Sequence, residues 1–258
     1  MALPMNEVLP GVYHLTDEMG VCMTLLAGEQ QALLVDTGYG FGDPLKRIRA
    51  VTDKPLHVLL THGHHDHALG AMHFDRVWLF DEDRPVYDTY TRDPWRSRAA
   101  DQAKDKGIPF DRDAWLSAPM PEPEQPPGCL DLGGMTARII LCPGHTPGSA
   151  VVWVPERELL LTGDDWNPVT WLFFREALPV REYRQNVRRL AGLPFRHVLC
   201  SHREGLWPRE TFTAFLDGLT DACLAAAEPS GEGAEQGIAT ATAHPAHEQA
   251  LVFDRAKL

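Results

Sequence analysis

Short apolar runs separated by turn residues dominate the first sixty positions of the chain. Such runs, bounded by glycine, glutamate and aspartate, predict strands rather than helices. The predicted strands are Gly11–Leu15, Cys22–Leu26, Gln31–Val35 and His57–Leu60. Asp43 followed by Pro44 predicts the start of a helix between the last two, because aspartate caps helices and proline suits the first helical position.

The pattern changes between Asp81 and Gly128, where charged, aromatic and proline residues mix. We interpret residues 81–128 as an insertion, with a helix around Arg84–Arg98 followed by irregular chain that is too rich in proline for an inner strand. Two interpretations stay open for this segment. It forms either a solvated surface excursion or a lid or wall of a substrate pocket.

Strand and helix patterns flank the insertion. Strands are expected at Arg76–Phe80, Met135–Leu141, Ala150–Val154, Glu158–Leu161 and His197–Cys200. Helices are expected at Val180–Leu190 and Pro208–Ala227, loop at Glu228–His247 and a late edge strand at Leu251–Phe253. Two successive halves of strands with flanking helices predict sheets covered by helices. We expect one domain over residues 1–258, ending in a C-terminal helix and tail over 208–258.

Histidine and aspartate cluster in the run His62-Gly63-His64-His65-Asp66-His67, directly after a predicted strand. Imidazole and carboxylate are the ligands that zinc accepts besides thiolate. Further candidate ligands, His145, Asp164 and His202, each follow another predicted strand. Because rigid strands can deliver such side chains to one rim of a fold, this spacing predicts a metal site.

These motifs together resemble those of the metallo-β-lactamase-fold superfamily. They occur in order as Asp36-Thr37-Gly38, the histidine run, Pro143–Ser149, Thr162–Asp164 and the strand-terminal His202. The resemblance implies an α/β (α+β) fold, a four-layer αββα sandwich of two mixed β-sheets flanked by helices. It also implies a metal site at one edge between the sheets.

The resemblance further implies a division of the ligands between two zinc ions. His62, His64 and His145 would bind the first ion. Asp66, His67 and His202 would bind the second, with Asp164 bridging and Asp36 near the ligand loop. Asp165 directly follows Asp164, so which of the two carboxylates bridges stays open at this point, although the position after Gly163 favours Asp164.

A water shared by two such ions is the expected nucleophile, and Asp66 is the expected catalytic residue that orients it. The sequence contains no obvious general acid, and His65 and Tyr183 are the candidates. The aromatic stretch Trp166–Phe174 follows the metal aspartate and is either core or substrate wall. Trp166, Trp171 and Arg203 are the candidate substrate-binding residues.

Composition and charge disfavour some classes of partner. The net charge of −12 disfavours nucleic acid. No apolar run is long enough to span a membrane, and five scattered cysteines indicate reduced thiols. The first residues lack a secretory signal pattern, so we expect a cytoplasmic protein. We expect a small-molecule substrate, and a homodimer stays open.

The favoured function is that of a zinc-dependent hydrolase with two zinc ions per chain. Its substrate would be a small-molecule ester, thioester, lactone or phosphodiester. Iron or manganese are alternative metals. The alternative activity is that of an iron persulfide dioxygenase with a single iron, because imidazole and carboxylate also suit iron. A metal-free binding protein is a third class, which would be expected to have lost ligands.

Overall fold

The computed structural model describes residues 5–258, and its first sheet comes from the N-terminal part of the chain. The strands are β1 (Met5–Leu9), β2 (Val12–Thr16), β3 (Cys22–Ala27), β4 (Ala32–Val35) and β5 (Leu56–Leu59). They lie in the order β1-β2-β3-β4-β5, antiparallel except for the parallel pair β4 and β5. The apolar runs thus form strands as predicted, and β1 is added at the edge.

The second sheet comes from the middle of the chain. Its strands are β6 (Cys129–Asp131), β7 (Thr136–Leu141), β8 (Ala150–Val154), β9 (Leu159–Leu161), β11 (His197–Cys200) and β12 (Arg203–Pro208). They lie in the order β12-β11-β9-β8-β7-β6, with β9 and β11 parallel and the other neighbours antiparallel.

Helices cover the outer faces of these sheets and fill the insertion. They are α1 (Pro44–Val51), α2 (His65–Ala68), α3 (Arg84–Tyr90), α4 (Trp95–Asp105), α5 (Arg112–Ser117), α6 (Val180–Leu190), α7 (Arg209–Gly218) and α8 (Asp221–Ala225). The predicted cap of α1 is present, because the Asp43 side chain accepts a hydrogen bond of 3.0 Å from the Lys46 amide. The predicted helix over 208–227 is instead two helices, and the Thr220 side chain caps the second.

Three layers of apolar packing join these elements. Leu33 and Leu59 of the first sheet pack with Val152 and Leu199 of the second in one buried cluster between the sheets. Ile48 of α1 packs on the outer face of the first sheet. Helices α6 and α7 pack on the outer face of the second sheet. The predicted αββα sandwich of mixed sheets is therefore confirmed.

A third, smaller sheet was not predicted. It contains β10 (Val169–Leu172), β13 (Glu228–Ser230), β14 (Thr240–Ala246) and β15 (Gln249–Asp254) in the order β10-β15-β14-β13. The loop predicted over Glu228–His247 is therefore wrong where β13 and β14 form, because small residues and threonine give β14 little apolar signal. The predicted edge strand near the C-terminus lies inside this sheet, since β15 pairs on both sides.

The insertion differs from its prediction in detail. The single helix expected over Arg84–Arg98 is two helices, α3 and α4, separated by a turn that contains Pro94. The strand expected at Arg76–Phe80 is absent, and Trp78 makes only isolated bridges with Leu59 and Glu124. Buried Ala99 and Trp115 of the insertion pack against Tyr39 beside the histidine run. Within residues 5–258, no helix has both the length and the apolar character needed to cross a bilayer.

Candidate metal centre

The predicted ligands lie in the loops that follow four strands. The histidine run follows β5, His145 lies between β7 and β8, Asp164 follows β9, and His202 connects β11 to β12. The structure brings all seven predicted ligands together. Their ring nitrogens and carboxylate oxygens form three overlapping groups, and within each group these atoms lie within 4.8 Å of one another.

The first group consists of three buried imidazoles. Nδ1 of His64 lies 3.1 Å from Nε2 of His62 and 3.0 Å from Nε2 of His145. Ligands at about 2.0–2.1 Å from one tetrahedral zinc ion lie about 3.3 Å apart. The spacing of these nitrogens is therefore close to that of three ligands of one ion.

The second group adds the carboxylates. Oδ2 of Asp66 lies 3.5 Å from Nε2 of His67 and 3.6 Å from Nε2 of His202. Oδ2 of Asp164 lies 3.0 Å from Nε2 of His202, 3.6 Å from that of His67 and 3.7 Å from that of His145. One oxygen of Asp164 thus faces ligands of both groups.

A buried histidine nitrogen without a hydrogen-bond partner is evidence for a cation at this place. Nε2 of His67 is buried and has no hydrogen-bond partner among the described residues, although buried polar atoms are normally paired. It points to the same space as the carboxylates of Asp66 and Asp164. A set of neutral imidazoles and carboxylates suits zinc, and it also suits iron. The residues present therefore fit a divalent metal.

The protonation states of most ligands also suit metal binding. Burial and the neighbouring His64 lower the pKa of His145 to about 4, and burial with the adjacent histidines lowers the pKa of His62 well below its usual range. Burial opposes ionisation of Asp66, but His67, His65 and His202 outweigh it and lower its pKa to about 2. Neutral imidazole and ionised carboxylate are the forms that bind metals.

Two ligands are exceptions: His202, whose pKa Asp164 and Asp66 raise although burial opposes its charged form, and His67. Burial disfavours the charged form of His67, but Asp164, Asp66 and Asp36 outweigh burial and raise its pKa well above the usual range. The same carboxylates attract any cation, so a proton and a metal ion compete for Nε2 of His67. We therefore expect metal binding here to release a proton.

Hydrogen bonds to neighbouring residues orient the rings of the candidate ligands. Oδ2 of Asp36 lies 3.0 Å from Nδ1 of His67, and the Thr61 amide donates a hydrogen bond of 2.7 Å to Oδ1 of Asp36. Asp36 adopts a left-handed backbone conformation with φ of 64°. The backbone carbonyl of Trp171 lies 2.7 Å from Nδ1 of His145. Such partners fix which ring nitrogen faces the metal.

Sequence reasoning missed two carboxylates that support the site. Oε1 of Glu176 lies 2.5 Å from Nε2 of His64. Asp83, fully buried, accepts hydrogen bonds of 2.5 Å from the Gly63 amide and 2.9 Å from the Gly148 amide. Neither residue belongs to a local motif, and both lie far along the chain from their partners, so no signal in the sequence could have found them.

The structure also distinguishes the two adjacent aspartates. Asp164 faces the histidines, and Nδ2 of Asn167 donates a hydrogen bond of 3.3 Å to its Oδ1. Asp165 points the other way, because its Oδ1 accepts a hydrogen bond of 3.1 Å from the His145 amide. Burial raises the pKa of Asp165 to about 8. Asp164 is therefore the candidate bridging ligand.

A cavity of about 530 Å³ opens over the ligands. The predicted substrate residues Trp171 and Arg203 line it, and Trp171 is 41 % exposed. The predicted role of Trp166 is wrong, because this side chain is fully buried and packs edge to face on Phe212 in the core. Trp166 lies in the turn between β9 and β10, and this turn directs its ring into the core.

The insertion and the C-terminal part of the chain complete the cavity wall. The insertion contributes Tyr90, Trp95 and Gln102, and the C-terminal part contributes Glu232, Glu235 and Gln236. Of the two interpretations of residues 81–128, a surface excursion and a pocket wall, the structure therefore agrees with the pocket wall.

The two candidate general acids differ in position. His65 lines the cavity, and its Nε2 lies 3.4 Å from the Tyr39 hydroxyl. Tyr183 is fully buried, and its hydroxyl donates a hydrogen bond of 2.7 Å to the Asp165 carbonyl. Because Tyr183 does not reach the cavity, its candidacy as a general acid is wrong.

Curated relatives match just over half of the chain. It is 27% identical over 184 residues to the acyl-coenzyme A thioesterase MBLAC2 of Bos taurus, covering 57% of this chain and 60% of the relative. It is 29% identical over 156 residues to the hydroxyacylglutathione hydrolase GloC of Haemophilus influenzae, covering 55% of this chain and 65% of the relative. The matches thus span less than two thirds of either relative.

Solved structures share the fold over most of the chain. A metallo-beta-lactamase family protein from Thermus thermophilus superposes with a TM-score of 0.60 and 20% identity, covering 96% of this chain and 100% of that protein. The sec-alkylsulfatase Pisa1 from Pseudomonas sp. superposes with a TM-score of 0.65 and 16% identity, covering 84% of this chain and 41% of that protein. The family model of the metallo-beta-lactamase superfamily matches residues 17–202, and this chain belongs to that superfamily.

Proposed function

We propose that this protein is a hydrolase that holds two zinc ions and cleaves small-molecule thioesters and related esters. The proposal depends most on the position of Asp164. Its Oδ2 lies 3.0–3.7 Å from Nε2 of His202, His67 and His145. A single ion would not require ligands on both sides of this carboxylate, so the arrangement favours two ions over one.

The chemistry then divides between the metals and the protein. Bound zinc ions lower the pKa of a water molecule and polarise a substrate carbonyl. Asp66, ionised and at the cavity floor, accepts a hydrogen bond from the attacking water and orients it. Asp36 and the Trp171 carbonyl hold His67 and His145 in place. Preorganised groups of this kind avoid reorganisation during the reaction.

The cavity suits a substrate with an apolar part. Tyr39, Tyr90, Trp95, Trp171 and Phe174 line it beside the metal ligands. An apolar wall with a few polar groups is the usual composition of a small-molecule site. Aromatic side chains in this position would pack against an acyl group and exclude bulk water from the scissile bond.

A neighbouring cavity suits the other half of a thioester. It shares Tyr90 and Trp95 with the first cavity and is also lined by Arg98 and Arg175. Neither arginine has a carboxylate within ion-pair distance in the described part of the chain, although Glu176 and Glu235 line the same cavity and Arg98 stacks on the Trp95 ring. The named relatives are thioester hydrolases, one acting on acyl-coenzyme A, and a carrier of that kind bears anionic groups.

A substrate panel tests the proposal. The zinc-loaded protein is assayed with acyl-coenzyme A, S-lactoylglutathione, a neutral N-acetylcysteamine thioester, a lactone and a phosphodiester. We expect hydrolysis of the thioesters, and loss of that hydrolysis in Asp66→Ala but not in the control His73→Ala. A folded, zinc-loaded protein that cleaves none of the thioesters would refute the proposal. Sulfur oxidation by an iron-loaded protein would favour the dioxygenase instead.

A further inference from the structure

Glu176 makes the shortest side-chain contact to a candidate metal ligand. Its Oε1 lies 2.5 Å from Nε2 of His64, and the two side chains are 17% and 4% exposed. Glu176 lies in the loop between β10 and α6, 112 residues from His64. This contact therefore joins the ligand loop after β5 to a distant part of the chain.

The contact determines which nitrogen of His64 is free. An ionised carboxylate only accepts hydrogen bonds, so Nε2 of His64 carries the proton that lies between the two groups. In the neutral ring the other nitrogen, Nδ1, then has an unprotonated lone pair. Nδ1 is the atom that lies 3.1 Å from Nε2 of His62 and 3.0 Å from Nε2 of His145.

A residue of the insertion holds Glu176 in turn. Tyr90 lies beside Glu176, and its side chain favours the ionised form of the Glu176 carboxylate. The Tyr90 ring also packs on the His64 ring, with centroids 4.5 Å apart. The carboxylate of Glu176 thus has partners from the ligand loop and from α3.

We propose that Glu176 is a positioning residue that selects the tautomer of His64 and thereby sets the affinity of the group His62, His64 and His145 for its metal. Tyr90 fixes the carboxylate in place for this role. The inference rests on the metal site of the proposed function, but it is independent of the substrate. Removing the outer partner of a metal-binding histidine typically weakens metal binding about 10- to 100-fold.

Zinc affinity measured by competition with a chromophoric chelator tests the proposal. We expect Glu176→Ala to weaken zinc binding by the group His62, His64 and His145 about 10- to 100-fold and to leave the other zinc ion bound as in the wild type. Glu176→Gln is expected to fall between Glu176→Ala and the wild type, because its amide oxygen can accept the same hydrogen bond without the charge. The control Glu182→Ala, at an exposed position on α6, is expected to bind zinc as tightly as the wild type.

Long-range ¹H–¹⁵N spectra of the histidine rings give a second readout that a purely structural role would not change. We expect His64 in the zinc-loaded wild type to be protonated at Nε2, and this preference to weaken in Glu176→Ala. Should Glu176→Ala not fold, Glu176→Gln serves alone. Wild-type zinc affinity in a folded Glu176 variant would overturn the inference, whereas a wild type that binds no zinc would overturn the proposed function itself.

Discussion

The backbone carbonyl of Trp171 lies 2.7 Å from Nδ1 of His145, whereas the indole of the same residue lines the cavity. One residue of β10 is therefore placed to orient a candidate metal ligand through its main chain and to contact a substrate in the cavity through its side chain. The two roles are separable, because replacing the side chain leaves the carbonyl in place.

Trp171→Ala is therefore expected to weaken substrate binding without removing the metal. Loss of one large apolar contact should raise KM for an acyl thioester about tenfold, with zinc content unchanged. Steady-state kinetics and metal analysis of the same preparation measure both quantities. A KM equal to that of the wild type would remove Trp171 from the substrate wall.

Trp166→Ala is expected to lower the stability of the fold and not to act through substrate binding. Trp166 is fully buried against Phe212, and truncation of such a side chain costs about 3–5 kcal/mol of the free energy of unfolding. Urea denaturation of the zinc-loaded protein measures the loss. If the variant were as stable as the wild type and only its KM changed, the placement of Trp166 in the core would be incorrect.

Asp83→Asn is expected to destabilise both ligand loops at once. Asp83 accepts hydrogen bonds from the amides of Gly63 and Gly148 with its two oxygens, and asparagine offers an acceptor to only one of them. A buried amide without a partner costs about 1–3 kcal/mol. Denaturation midpoints compare this variant with Asp105→Asn, an exposed position, for which no loss is expected.

Acid sensitivity of the fold is expected to depend on His14. Burial lowers the pKa of His14 below its usual value of 6.5, so the contribution of this group to stability is complete above pH 6.5. Below that pH the unfolded chain takes up a proton that the folded chain resists, and the contribution is lost as the pH falls through the lowered pKa.

The free energy of unfolding of the wild type, taken relative to that of His14→Phe, should therefore decrease as the pH falls from about 7.5 to about 5.5. Chemical denaturation at both pH values measures it, with the exposed His247 replaced by Gln as the control. If the free energy of unfolding of the wild type relative to His14→Phe stayed constant or increased at the lower pH, the assignment of a neutral, buried His14 would be contradicted.

The arginines of the neighbouring cavity are expected to affect substrates selectively. Arg98→Ala and Arg175→Ala should each lower kcat/KM about two- to fivefold for acyl-coenzyme A, since partly solvated ion pairs are weak. The neutral N-acetylcysteamine thioester should be unaffected, and added salt should reduce the difference. Equal losses for both substrates would mean that the arginines act on the fold and not on the anionic carrier.

The sequence predicts the candidate ligands from a local signal, and the structure brings these residues together. The run from His62 to His67 is contiguous, and His145, Asp164 and His202 each follow a strand that its own apolar pattern predicts. Chain order along two sheets then suffices to bring these residues to one place. The early strands, α1 with its Asp43 cap and α6 were predicted for the same reason.

The remaining features depend on contacts between distant residues. Glu176 contacts His64 across 112 positions, and β10 pairs with β15 although the two strands lie far apart along the chain. Trp166 was misplaced because closeness to Asp164 along the chain does not determine which way a side chain points after a turn. No local pattern encodes such contacts.

Metal stoichiometry measured together with activity tests the two-zinc site most directly. Protein purified without added metal is titrated with zinc, and zinc per chain and thioester hydrolysis are recorded at each step. The account predicts two zinc ions per chain, hydrolysis that rises with zinc occupancy, and loss of the second ion in Asp164→Ala. Full hydrolysis by metal-free protein, or a single tightly held iron without hydrolysis, would contradict it.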